Sequence, residues 1–250
     1  MARVILIGDV GGHVDALRAA LISAGAFPRV PGGTTVIQVG DLVDRGPDSE
    51  AVVELVHTYL NEQPDRWIQL AGNHDAQYLP QGWSFYRASL GGTHISLLRS
   101  LKLSVAAAVA TPEGEYLVTH AGLTAGLWRE LGEPMTAATA AMLLNERPDL
   151  MWHMSGPLWA DAGSEVYEPW LDFRDYVPFG QIHGHSTIVH FEKREFYCSG
   201  KVRQRASVDW HARHTRVRIG GRQFIGIDPK LGRDGTAQWA PLILDGEVFR

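Results

Sequence analysis

Short apolar runs, each closed by glycine and followed by a polar side chain, punctuate the first third of the chain. Arg3–Ile7 (RVILI), Thr35–Val39 (TVIQV) and Trp67–Leu70 read as buried strands. Between them, Val14–Ala24 puts Val14, Leu17, Ala20, Leu21 and Ala24 on one helical face, and Ser49–Leu60 does so with Val52, Val53, Leu55, Val56 and Leu60. Three rounds of strand, loop and helix predict a parallel sheet covered by helices, hence an α/β fold. Beyond residue 100 the pattern changes. Leu103–Ala110 and Glu115–Thr119 flank the turn TPEG as a hairpin, and the alanine-rich Ala137–Asn145 reads as a helix. Gln181–Gly184, Glu195–Ser199, Arg216–Ile219, Phe224–Ile227 and Pro241–Leu244 are strand candidates. There is no internal repeat and no linker, so residues 1–250 are expected to form a single domain.

Composition narrows the class. At 45% apolar and 20% charged residues the chain is expected to be globular, and its net charge of −5 disfavours an obligate nucleic-acid binder. Cys198 is the only cysteine, so no internal disulfide is possible and the chain offers no cysteine cluster for zinc. The apolar run at the N-terminus is too short for a signal peptide, and no stretch reaches the roughly 20 apolar residues of a membrane span. These features lead us to expect a cytoplasmic protein with no membrane partner. Oligomeric state is not legible.

The chemistry sits after the strands. ILIGDVGGH, VIQVGDLVDRG and IQLAGNHD each place a ligand-type residue, Asp9, Asp41 and Asn73, one step past a strand-ending glycine. In a parallel sheet the strand C-termini share one edge, so these three should converge there. YLVTHAG and QIHGHS bring His120, and His183 with His185, to further strand ends. Carboxylate, amide oxygen and neutral imidazole together suit divalent Mn, Fe, Zn, Ni or Co. Taken singly each has a plainer reading: Asp9, Asp41 and Asp44 as caps, Asn73 as a turn residue, Arg45 as a surface ion-pair residue, His120 and His185 as core histidines. His183 reads as structural and His13 as a loop residue.

The blocks GDV, GDLVDRG, GNHD, THAG and GHS, in that order, resemble those of the calcineurin-like metallophosphoesterases. The phosphoprotein phosphatases and the bacterial enzymes that cleave diadenosine tetraphosphate are the nearest branch. GPLWAD (Gly156–Asp161) and FIGIDPKLGRDGTAQWAPLIL extend the resemblance over most of the chain. It implies two mixed β-sheets sandwiched between helices, and two divalent metal ions, manganese first among them. On this resemblance Asp41 bridges the metals, Asp9 binds the first, and Asn73, His120 and His185 bind the second. Arg45 and Asn73 would contact the substrate phosphate, and His74, oriented by Asp44, would be the general acid.

One block departs from that pattern. The family has a histidine, a first-metal ligand, where this chain has Gly11, and Thr187 stands where another family histidine would be. The first site is therefore expected to be depleted: filled by His13, filled by water, or left so that one metal is held in practice. The implied activity is hydrolysis of a phosphomonoester of a small metabolite, nucleotide or phosphoprotein. The alternatives are a dinucleoside-polyphosphate hydrolase and a catalytically impaired phosphate-binding or regulatory protein. The run Lys201–Arg222, with seven basic residues against Asp209, reads as a solvated face or as a cationic wall for polyanions. Trp152, Trp159, Trp170 and Trp210 read mostly as core.

Overall fold

The computed structural model describes residues 2–249 except Arg174, Asp175, Arg233, Asp234 and Thr236, so part of the FIGIDPKLGRDGTAQWAPLIL stretch lies outside the described residues. The strands are β1 (Arg3–Ile7), β2 (Thr34–Gln38), β3 (Trp67–Leu70), β4 (Leu103–Ser104), β5 (Ala106–Thr111), β6 (Gly114–Thr119) and β7 (Gly180–His183). They continue with β8 (Val189–His190), β9 (Glu195–Phe196), β10 (Ala206–Asp209), β11 (His214–Ile219), β12 (Arg222–Gly226), β13 (Leu242–Asp245) and β14 (Glu247–Phe249). The helices used below are α1 (Val14–Ser23), α2 (Ser49–Glu62), α3 (Asn73–Ala76), α4 (Gly92–Ser100), α5 (Ala125–Glu130) and α6 (Ala137–Glu146).

Two mixed sheets stack face to face. The first runs β13-β1-β2-β3-β4, with β1 to β4 parallel and β13 antiparallel on the edge of β1. The second runs β10-β11-β12-β7-β6-β5-β14, with β6, β7 and β12 parallel at its centre. Alternation along β1 sorts the core into layers. Val4 and Leu6 join Ile37, Leu70, Val118, Ile182 and Ile225 between the sheets, whereas Ile5 and Ile7 face α1, α2 and α4. The far side of the second sheet is covered by α5, α6 and the aromatic group around Tyr167 and Trp170. The result is the helix–sheet–sheet–helix sandwich that the resemblance implies. No helix among the described residues is long and apolar enough to cross a membrane.

The helix starts are set locally. Asp48, Thr124 and Thr136 each accept a hydrogen bond from a backbone N–H three residues on, which supplies one of the partners that a helix N-terminus lacks. Two expected elements differ, and one helix appears where none was expected. Leu103–Ala110 is not one hairpin arm. It breaks at Val105, so that β4 pairs with β3 in the first sheet and β5 with β6 in the second. Asn145 Oδ1 accepts from Val105 N and Ala106 N at this crossing. The strand expected over Glu195–Ser199 stops at Phe196, because Ser199 caps a short helix (Gly200–Arg203) through Val202 N. Helix α4 was not expected. Its polar residues carry no clear period, and only Leu98 is fully buried.

Two buried glutamines fix the strand ends that matter. Gln38 Nε2 donates to the carbonyls of Gly8 (3.1 Å) and Gly40 (2.8 Å), while its Oε1 accepts from Gly40 N (2.9 Å) and from the Gln69 amide. One side chain thus serves backbone groups in the first two loops. Replacing Gln38 with leucine strands those groups in a dry site, where each unpaired group costs about 1–3 kcal/mol. We expect Gln38→Leu to lower unfolding stability by about 3 kcal/mol in a urea titration with unchanged slope. A loss below about 1 kcal/mol would show that water satisfies them instead.

Candidate metal centre

Five strand ends converge. β1 delivers Asp9, β2 Asp41, β3 Asn73, β6 His120 and β7 His185, and all but His185, which is half-buried, are fully buried. Close backbone approach makes this possible. A Cβ on Gly72 would lie 2.1 Å from Asp41 N, and one on Gly184 would lie 2.0 Å from Asp9 Oδ1. Gly12, at φ +78°, rests against Asp44 O and can only be glycine. The first two loops are laced together by Gly11 N→Asp41 O (2.8 Å), Gly12 N→Leu42 O (2.8 Å) and Gly46 N→Gly11 O (2.7 Å).

The donor atoms face one another. His120 Nδ1–H donates to Val39 O (2.9 Å), which leaves a lone pair on Nε2 of the neutral ring. That nitrogen lies 3.1 Å from Asn73 Oδ1 and 3.4 Å from Asp41 Oδ1. His185 Nδ1 lies 3.1 Å from the same Asn73 oxygen. Asp41 Oδ1 accepts from His74 N (2.9 Å), but its Oδ2 is buried with no hydrogen bond, 3.5 Å from Arg45 Nη2. Asp9, Asp41 and His120 can offer ligand atoms all within 4.8 Å of one another. The His120 lone pair and the orphaned Asp41 oxygen, among further buried donor atoms, fit a divalent cation.

Electrostatics agree. Burial, then the neighbouring His120, pushes His185 down to about 3, and burial pushes His183 down to about 4 and lowers His120 as well. The rings are neutral near pH 7, as metal ligation requires. Asp9 is raised by its burial and by the charges of Asp228 and Asp41. Asp41 is held at about 2, because His120, His74 and Arg45 overcome its burial.

Beside the donors lies a second group. His74 Nδ1 donates to Asp44 Oδ2 (2.8 Å), and His74 Nε2 accepts from Arg45 Nη2 (3.1 Å). Asp44 is fully buried and also receives Tyr78 Oη (2.6 Å), Ser89 Oγ (2.7 Å) and the Gln77 amide. Phe85 and Tyr86 pack edge-on against the His74 ring at 5.2 and 4.7 Å. Trp159 and Trp83 extend this aromatic surface, Trp170 is core, and Trp210 packs on Phe191 and Phe196.

The structure does not bring His13 into the donor set. Its Nε2 is bonded to Gly232 O (2.9 Å) and its ring lies against the Gly235 backbone, in keeping with a loop residue that lines the cleft beside Asp9. His183 is satisfied by Tyr167 Oη (2.6 Å) and Gly184 O (2.9 Å), a structural role. Gly11 supplies no ligand. A Cβ there has ordinary room, 3.6 Å from Arg45 Cβ, but φ is +47°, which strains any side chain. Within the basic run, Arg216 reaches Gln223 Oε1, Arg222 donates to Val177 O and Arg203 covers Phe196. Arg213 alone of these contacts the segment beside the site.

Sequence reasoning missed Asp228 and Lys230. They follow β12, which is parallel to β7, and they line a cleft of about 210 Å³ with Asp9, Gly11 and Arg45. FIGID carries the signal that found Asp9 and Asp41, an apolar strand and then aspartate, here without the glycine just before it.

Two measurements test this geometry. Gly184→Ala must displace the Asp9 carboxylate, so we expect Mn²⁺ affinity by calorimetry to fall by about tenfold or more with the circular dichroism unchanged. An unaltered affinity would remove Asp9 from the site. In metal-free protein the His183 and His185 Cε1 protons should keep neutral-ring shifts between about pH 8 and about pH 5. The unfolded chain takes up these protons near 6.5, the folded chain only near 4 and 3, so these rings' contribution to stability is complete above 6.5 and falls as pH drops through that window. A midpoint near 6.5 for either ring would mean that water reaches it.

Residues 2–213 match the family described as calcineurin-like phosphoesterase. A 124-residue stretch is 28% identical to the serine/threonine-protein phosphatase SIT4 of Candida albicans, covering 48% of this chain and 40% of that protein. A 91-residue stretch is 32% identical to an uncharacterized protein of Schizosaccharomyces pombe, covering 33% of this chain and 27% of that one. The chain thus spans less than half the length of these curated relatives. Among solved structures, the fold is similar to the cold-active protein-tyrosine phosphatase of a psychrophilic Shewanella species, with a TM-score of 0.59 and 14% identity over 100% of this chain and 81% of that one. With the family match running over residues 2–213, and so through the loops of Asp9, Asp41, Asn73, His120 and His185, the chain belongs to the calcineurin-like phosphoesterases.

Proposed function

We propose that this chain is a metal-dependent hydrolase of phosphate monoesters, acting on a small metabolite, a nucleotide or a phosphoprotein. The observation that carries the reading is the cluster of lone pairs on Asp41, Asn73, His120 and His185, set beside a histidine whose other nitrogen is held by a buried aspartate. Asp9, Asp41, Asn73, His120 and His185 would hold the metal, with manganese the expected ion. A divalent cation bound there polarises water and neutralises the charge that develops on the phosphoryl oxygens.

The rest is done by side chains of this chain. Arg45 is one-third exposed, and its fork suits two phosphoryl oxygens, with the Asn73 amide beside it. When Arg45 turns to the phosphate, it leaves His74 Nε2 free. That nitrogen, once protonated, gives its proton to the leaving oxygen. Asp44 fixes the ring through Nδ1 and stabilises its charged form, and the donors from Tyr78, Ser89 and Gln77 keep Asp44 from turning. Phe85 and Tyr86 exclude water from one face of the ring. A protein that only binds phosphate has no use for a proton donor clamped in this way, which favours turnover over the purely regulatory reading.

The test separates leaving groups. With Mn²⁺, we expect hydrolysis of p-nitrophenyl phosphate and of phenyl phosphate, both abolished by chelator. His74→Asn should lower kcat on phenyl phosphate by about 100- to 10,000-fold, the range of general acid catalysis, and far less on the nitrophenyl ester, whose oxygen leaves without a proton. Equal losses on both esters would exclude His74 as the acid. No turnover with any divalent metal would exclude the hydrolase reading.

A further inference from the structure

The turn after β12 brings a cation to the place where the first metal site is short of a ligand. Lys230 Nζ donates to His185 O (2.9 Å) and lies 2.9 Å from Asp228 Oδ2, while Lys230 N donates to Asp228 Oδ1 (2.8 Å). Lys230 thus lies against both oxygens of this fully buried carboxylate, Oδ2 having the ion pair and no hydrogen bond. The turn is held from the other side as well. Arg213 Nη1 donates to Pro229 O (2.8 Å) and Lys230 O (3.2 Å) and pairs with Glu192 (3.0 Å). Lys230 itself sits at φ +49°, a conformation a lysine keeps only under such restraint.

The ammonium faces the acids of the site. It is ion-paired with Asp228 (2.9 Å) and lines one cleft with Asp9 and Arg45. On the other wall of the same cleft, Gly11 has no side chain to offer and His13 Nε2 is committed to Gly232 O. Thr187 is buried with its hydroxyl unpartnered. Asp9 thus has the backbone N–H of His185 as its hydrogen-bond partner (3.1 Å to each oxygen) and a nearby fixed cation. A dication entering beside Asp9 would meet that cation, and like charges in a desolvated site repel strongly.

We propose that the Lys230 ammonium takes the place of the first cation, so that this chain binds one divalent ion tightly and not two. The inference rests on the metal-dependent reading above and says how the site is made with a depleted first block. Asp228 is the positioning residue that holds the lysine. Lys230 and Arg45 then present two fixed positive charges toward the phosphate, beside the one exchangeable ion.

The experiment counts Mn²⁺ on the full chain, stripped by chelator and titrated by calorimetry with electron paramagnetic resonance alongside. Wild type is expected to take up one Mn²⁺ per chain with the spectrum of an isolated ion, and Lys230→Arg the same. Lys230→Met leaves Asp228 unpaired beside Asp9, so a second Mn²⁺ should bind about tenfold or more tighter than any second ion in wild type, with a spin-coupled spectrum. Adding Asp228→Asn to Lys230→Met should remove that second ion. Two ions of similar affinity in wild type, or a Lys230→Met chain that folds and still binds one, would overturn the proposal. If Lys230→Met does not fold, wild type and Lys230→Arg decide it. Wild type that binds no Mn²⁺, Fe²⁺ or Zn²⁺ at all would overturn the metal-dependent reading itself, a result distinct from binding two.

Discussion

Everything at this site depends on buried donor atoms brought together at the strand ends. His120 has spent its one proton on the Val39 carbonyl, so its other nitrogen brings a lone pair to the Asn73 amide and the Asp41 carboxylate. His185 Nδ1 reaches the same amide from another strand. A cation at the centre of such a cluster would couple metal binding to site formation. The Val39 carbonyl matters as much as the ligands. By fixing the tautomer of His120 it decides that the ring presents a lone pair and not an N–H.

The surrounding backbone is built to hold that cluster in place. Asp41, Asp44, Arg45 and His185 all adopt left-handed φ values between 53° and 70°, each costing about 1–3 kcal/mol in an unrestrained chain. They persist because the first two loops are laced together through Gly11, Gly12 and Gly46, and because Gln38 serves both. Gly40 at φ +102° lets the second and third loops touch. Strain concentrated in the loops and rigidity in the sheets behind them are two sides of one construction. The sheets fix where each loop starts, and the loops can then be forced into conformations that aim side chains inward.

Much of this was legible in the chain itself. Strand periodicity located β1, β2 and β3 to within a residue, because buried parallel strands are short, apolar and β-branched. Convergence of Asp9, Asp41, Asn73, His120 and His185 followed from strand-end logic and from the family's blocks. What was not legible depended on three-dimensional partners. Nothing in LKLSVAAAVA marks Val105 as the crossing between two sheets, since both halves are equally apolar and the break is made by Asn145, forty residues away. His13 reads as a loop residue that could also fill the first site, and its partners, Gly232 and Gly235, lie far along the chain where spacing does not show them. Gln77, Tyr78 and Ser89, which hold Asp44, carry no motif. Asp228 did carry one, but it was obscured by the missing glycine and by the absence of a neighbouring histidine.

The charge balance of the cleft explains why a lysine could be retained there. Asp9, Asp41 and Asp228 are three buried carboxylates, the last two of which raise Asp9, with Arg45 as the other fixed cation. A metal ion answers such a cluster with two charges and open coordination, but only while it stays bound. An ammonium answers with one charge that cannot dissociate, and it needs no imidazole at the position of Gly11. It is a poorer Lewis acid, since it has no open coordination and can only donate hydrogen bonds. On the proposed reading, more of the work on the leaving group would therefore fall on His74, and more of the grip on the phosphate on Arg45. The number of buried donors fixing Asp44, and through it His74, is what such a division of labour requires.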